Sequence, residues 1–179
     1  MPLNLYALYR VWTIIVLCAL VSGKMDFTNI KCDAMDKTYN SIKYCYIRSV
    51  NRTFKYLSAA NHFHSKEPIT NISVGVAVLK RANGYKPFLY NVTVDSCKFL
   101  RTGGNPLLRF LHSLFHKYSN INHTCPYNHD IEVNVLPVSH IDNLLTNVLP
   151  FPKGDYQLVT SWYAYNVLRA VVRIFGTLS

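Results

Sequence analysis

Four cysteines and four asparagines carry the clearest chemistry in this chain. Of its five cysteines, Cys18 sits inside an apolar leader, which leaves Cys32, Cys45, Cys97 and Cys125. An even set in an oxidising compartment forms disulfides. Four thiols allow three pairings. Pairing neighbours in sequence gives Cys32–Cys45 and Cys97–Cys125, each flanking one local unit. The second bridge closes a loop of roughly 29 residues, a restraint worth about 3 kcal/mol in the chain-entropy model. Asn51, Asn71, Asn91 and Asn122 each open an N-x-S/T triplet without a central proline. In a secreted chain such sites accept N-glycans, and each must then face water.

Other reactive side chains lack the company that chemistry needs. His112 and His116 lie four apart, but in the string HSLFH, with no glutamate after the first histidine. Both fall on the polar side of an expected helix and are read as solvated. His62 and His64 lie in a polar stretch with no further ligand. Without a C-x-x-C spacing, the cysteines do not suggest zinc. No metal and no cofactor are expected. There is no G-x-S-x-G elbow and no phosphate loop, and Gly103-Gly104 reads as a flexible joint. The nine acidic residues are dispersed, so no carboxylate pair stands ready for acid–base work. These absences argue against an enzyme.

The elements that position these residues follow from periodicity. Ile72, Val74, Val76 and Val78 share one face of an expected strand over 69–81, with Asn71, Ser73 and Gly75 on the other. After a turn at Ala82-Asn83-Gly84-Tyr85, Phe88, Tyr90, Val92 and Val94 repeat the pattern, and Asn91 points away. The outward parity of Asn71 and Asn91 agrees with their use as glycan acceptors. Further strands are expected over 27–32, 42–50, 54–57, 131–135, 155–165 and 168–174, about eight in all. Cys97 is read as ending a strand and Cys125, followed by Pro126, as opening one. Between them lies the one convincing helix. Asn105 suits its cap, Pro106 its first position, and Asn120 its left-handed end. Leu107, Leu108, Leu111, Leu114, Phe115 and Tyr118 form its apolar side. Residues 139–147 are read as one helical turn or a loop. Strands with frequent turns imply an antiparallel, immunoglobulin-like β-sandwich, mainly β, with one helix inserted between Cys97 and Cys125.

Residues 1–23 have the layout of a secretory signal peptide: Arg10, an apolar run over 11–21, then Ser22 and Gly23. The run is too short to span a membrane comfortably. Residues 24–179 then form one domain. The net charge of +10 falls to +9 once Arg10 leaves. A basic secreted surface suits anionic glycans, acidic headgroups or acidic partners. Nucleic acid is not an expected partner, because the leader directs the chain away from it.

FTNIKC, NGYKPFLYNVTVDSCKFL, NHTCPY and LPFPKGDYQL together resemble a large secreted family known from flies. That family, long classed as a domain of unknown function, includes the CheA and CheB chemosensory proteins. The wider pattern is similar to the ML lipid-recognition superfamily: a cysteine after a strand, CP before the next, then a proline–glycine turn before a strand bearing Trp. The resemblance implies an ML-like sandwich that holds lipid between its sheets. It places Asp95, Cys97, Cys125 and Pro126 at a disulfide corner, and Pro152, Gly154, Tyr156 and Trp162 at the last hairpin. The long helical insert departs from the pattern and stands where a cavity mouth would be.

The expected function is therefore a secreted, extracellular glycoprotein that binds a hydrophobic small molecule or lipid, serving chemical sensing. Val74, Val76, Phe88, Tyr90, Leu111, Phe115, Val133, Leu158, Trp162 and Val172 are the expected cavity residues. A pocket of roughly 300 Å³ or more would suit such a ligand. The alternative is an extracellular protein-interaction module that modulates a membrane receptor or ion channel and has no ligand of its own. A solid interior favours the alternative; a continuous apolar cavity favours the first reading.

Overall fold

The computed structural model describes residues 24–65, 67–104, 106–148 and 151–179, with side chains except at 89–90 and 146–148. The expected leader over 1–23 and the Asn105 cap lie outside the described residues.

Eight strands carry the fold: β1 Met25–Ala34, β2 Asn40–Ser49, β3 Lys55–Phe63, β4 Ile72–Ala82, β5 Gly84–Asp95, β6 Ile131–Pro137, β7 Gly154–Ala164 and β8 Val167–Leu178. They form a five-stranded sheet, β1-β8-β7-β4-β5, and a three-stranded sheet, β2-β3-β6, all antiparallel. This is the antiparallel sandwich that the strand pattern calls for. Phe27 of the large sheet meets Leu57 and Leu136 of the small one in a shared apolar cluster. Gly84, at φ 86°, makes the tight β4–β5 turn that a side chain would strain.

Bulges explain why simple alternation misreads some faces. An extra residue, Thr28, lies between the pairs Phe27–Gly176 and Asn29–Phe175. Lys43 is likewise extra between Ile42–Asn61 and Tyr44–Ala60. Each bulge inverts the parity of the residues beyond it. Ile42 and Cys32 thus both border the interior, and Cys45 reaches in to bond Cys32.

That Cys32–Cys45 bridge ties edge strand β1 of the large sheet to edge strand β2 of the small one. It closes one side of the sandwich. The other side is spanned by the β5–β6 connection, and here the structure corrects the sequence reading. Cys97 does not end a strand. β5 stops at Asp95, whose carboxylate accepts the Lys98 N–H at 2.8 Å and caps a first helix, α1 (Ser96–Thr102). Gly103, left-handed at φ 78°, ends α1 by donating its N–H to Phe99 O, so it is a C-cap rather than a loose joint. The expected helix, α2 (Pro106–Ser113), stops earlier than its apolar spacing suggests and gives way to a 3-10 turn at His116–Tyr118. Asn120 does not take the left-handed end. Its amide instead donates to Asp130 O at 2.6 Å and accepts the Glu132 N–H at 3.0 Å. Cys125 opens no strand, since β6 begins at Ile131 and Tyr127 forms only an isolated bridge with Ile69.

Residues 138–148, left between turn and loop by their sequence, form a full helix, α3 (Val138–Val148). It packs on β1, and Asp142 accepts the Met25 N–H at 2.7 Å. His62 and Phe63 belong to β3 rather than to a polar loop.

Candidate ligand site

The inner faces do not close completely. Three cavities with almost wholly apolar walls lie in the interior, of about 150, 70 and 130 Å³. The first lies between the sheets. Ile30, Val172 and Ile174 face Leu57, Ala59 and Val133 across it, and Trp162 and Ile121 close one end. The second lies where the small sheet does not reach. There Val74, Val76 and Val94 are covered instead by Leu108, Leu111 and His112 of α2. The third is at the far end, among Phe27, Val78, Ile141, Leu145, Phe151 and Tyr156. Phe115 and Leu158 line all three.

The sequence-derived residues divide among these compartments. Phe115, Val133, Leu158, Trp162 and Val172 line the first cavity. Val74, Val76 and Leu111 line the second, together with Phe115, Leu158 and Trp162. Phe88 lines none of the three; it packs edge-on against Tyr156, 5.5 Å between centroids, and against Phe151. The side chain of Tyr90 is not among those described. In place of a single pocket of roughly 300 Å³ there are three smaller compartments, and Phe115 and Leu158 border each of them.

Polar groups gather at the rim of the first cavity, and sequence reasoning missed them. Arg169 reaches the cavity, pairs with Asp36, and lies 3.9 Å over the Tyr39 ring. A bulge opposite Trp162 and Tyr163 places this arginine and Ala170 on the same wall. Hydrogen bonds from Thr38 hold the Asp36 carboxyl below the usual carboxylate range, against a smaller opposing effect of burial, and Arg169 adds to the lowering. Asn40 is wholly buried beside them. Its side-chain amide lies 3.0 and 3.1 Å from the carbonyls of Asp36 and Arg169 and 2.6 Å from Asn61 Oδ1. Tyr127, also buried, donates its hydroxyl to His123 O, and burial pushes its pKa up to about 12.

His112 is not solvated as its sequence position suggested. It lines the second cavity, its Nε2 lies 2.8 Å from Ile121 O, and the Phe99 and Phe115 rings stand edge-on to it. The shortened helix explains this: the chain turns after Ser113 and folds Ile121 back over the imidazole. His62 lies 2.7 Å from Asp130, which also pairs with Lys43. Burial opposes ionisation of Asp130, but the hydrogen bonds from Lys43 and His62 outweigh it and lower its pKa. No group of three or more metal-ligating side chains occurs among the described residues.

The disulfides are Cys32–Cys45 and Cys97–Cys125, with Cα atoms 6.1 and 5.1 Å apart. Asn51, Asn71, Asn91 and Asn122 are all exposed. Among the described residues no helix is long and apolar enough to cross a membrane.

A family model described as "Protein of unknown function (DUF1091)" matches residues 74–158. That stretch runs from the inner row of β4 through the helical connection to Leu158. No curated protein matches the chain. Among solved structures 11 chains match. One is the crystal structure of a Niemann-Pick type C2 protein from Japanese carpenter ant, at 11% identity over 86% of this chain and 90% of that one, with a TM-score of 0.29. A superposition that loose assigns neither fold nor ligand; both are argued from this chain's own strands and cavities.

Proposed function

We propose that this protein binds a hydrophobic small molecule or lipid between its sheets. The observation that carries the reading is the interior itself: three apolar cavities in a sandwich that would otherwise close-pack. Empty apolar space forfeits contacts, so a fold that keeps it needs a use for it. The sequence resemblance to the ML lipid-recognition superfamily supports the same reading. The leader-like residues 1–23, the two disulfides and the exposed Asn51, Asn71, Asn91 and Asn122 support a secreted, extracellular glycoprotein. The fly-family resemblance supports a place in chemical sensing.

The test is native mass spectrometry of the protein purified from insect cells, paired with titration of the fluorescent probe N-phenyl-1-naphthylamine. Co-purified lipid or saturable probe uptake is expected. The absence of both overturns the proposal.

One observation favours a second reading, a surface module that engages a membrane receptor or channel. Tyr46 and Phe54 are 42% and 37% exposed and are joined through Tyr56 into one aromatic row on the small sheet. Probe uptake that survives while Tyr46→Ser abolishes cell-surface binding would assign that row a partner of its own.

A further inference from the structure

We propose that Phe115 is a movable partition, and that the ligand is one flexible chain that bends past it rather than a rigid fused-ring plate. The inference rests on the hydrophobic-ligand reading and specifies the ligand class and the residue that selects it.

The argument begins with volume. An apolar cavity of about 150 Å³ holds a ligand the size of benzene. The largest compartment has that volume and the others are smaller, at about 70 and 130 Å³. None alone approaches the roughly 300 Å³ of an ordinary ligand pocket. A larger guest must occupy more than one, and so must pass whatever separates them.

Among the described residues only two side chains border all three compartments, Phe115 and Leu158. Leu158 sits mid-strand in β7, paired with Val78 on one side and Ile174 on the other, so its backbone is held by both neighbours. Phe115 lies in the short break between α2 and the 3-10 turn, with φ −133° and ψ −14°. Its N–H bonds to His112 O at 3.2 Å and its carbonyl accepts the Tyr118 N–H at 2.9 Å. It also packs against both apolar clusters of the core. Because the ring borders all three compartments, a change of rotamer moves it into space that is already open, at the cost of part of this packing.

The shape of the opening selects the guest. Turning Phe115 aside opens an aperture about one ring wide at the meeting point. The other dividing walls stay in place, since Leu57 and Leu136 still part the first and third compartments, and Trp162 the first and second. A hydrocarbon chain threads such an aperture. A fused-ring plate would need those walls to retreat as well.

The experiment uses the full glycosylated chain and displaces N-phenyl-1-naphthylamine with octanol, dodecanol, hexadecanol, octadecanol and cholesterol. In the unmodified protein, affinity should rise with chain length and cholesterol should compete poorly. Phe115→Ala removes the closed state, so hexadecanol should bind about fivefold more tightly or better. Phe115→Trp should lose the two longest alcohols while still taking octanol. Phe115→Leu, the mildest change, should fall between the unmodified protein and Phe115→Ala, and it carries the test if the alanine variant fails to fold. A length profile identical in the unmodified protein, Phe115→Leu and Phe115→Trp overturns the partition. Cholesterol outcompeting the long alcohols overturns the ligand class. If the unmodified protein takes up neither probe nor alcohol, the hydrophobic-ligand reading fails and this inference with it.

Discussion

Val135 is a β-branched residue held at φ 49°, a conformation that costs an L-residue roughly 1–2 kcal/mol. It persists because its N–H bonds to the wholly buried Ser58 hydroxyl at 2.9 Å, where β6 breaks register with β3. Asparagine tolerates that backbone far better, and Val135 is 40% exposed, so little burial is lost. Val135→Asn should therefore stabilise the fold by up to about 1 kcal/mol, read as a rise in the urea midpoint at constant slope. Tyr127 predicts a pH dependence. Its pKa is raised from 10.0 to about 12 by burial. The stability it contributes is complete below the unfolded value near 10 and is lost as pH rises through 12. Thermal unfolding followed between these limits should show a falling midpoint, and Tyr127→Phe should flatten the fall. An unchanged slope in that variant would refute the assignment. Neither position announces itself in the sequence, where Val135 looks like an ordinary inward strand residue.

The β5–β6 connection shows how an element differs from its sequence signature. Its apolar residues at helical spacing run to Tyr118, yet α2 ends at Ser113. Asp95 and Gly103 act as caps for a helix, α1, that hydrophobic spacing alone did not suggest. The pieces together cover the part of the large sheet that a three-stranded partner leaves bare. Cys97–Cys125, 28 residues apart, anchors this cover. Replacing both cysteines by serine should cost about 3 kcal/mol in the chain-entropy model. It should also loosen the second compartment, visible as faster hydrogen exchange across 106–118. At the opposite edge, Asn40 holds the start of β2 against the chain at Asp36 and Arg169. Asn40→Leu leaves the facing Asn61 side chain without its buried partner and should cost about 1–3 kcal/mol, measurable in urea. Stability equal to the unmodified protein would mean that Asn61 finds another partner.

The sandwich of five strands on three leaves apolar space between the sheets and where the small sheet does not reach. Trp162 borders two of the compartments there. Filling of either should shift its emission, and Trp162→Phe should remove that signal while retaining displacement of the external probe. Val76→Phe projects a ring into the second compartment only. It should weaken long-chain uptake and spare short chains, because the first and third compartments remain.

Local patterning alone determined the strand count, the two disulfide pairs, the exposure of Asn71 and Asn91, and a share of the residues around the cavities. Each depends on spacing within a few residues: period two, a cysteine on either side of one unit, an N-x-T triplet. Tertiary structure decided the rest. Bulges at Thr28 and Lys43 inverted parity that a strict alternation could not foresee. The chain left α2 at Ser113 for a 3-10 turn where hydrophobic spacing ran on, and so turned His112 inward. Above all, the two residues that border all three compartments, Phe115 and Leu158, stand 43 positions apart in sequence. No periodicity encodes such a convergence, because it exists only after both sheets and the helical connection have packed.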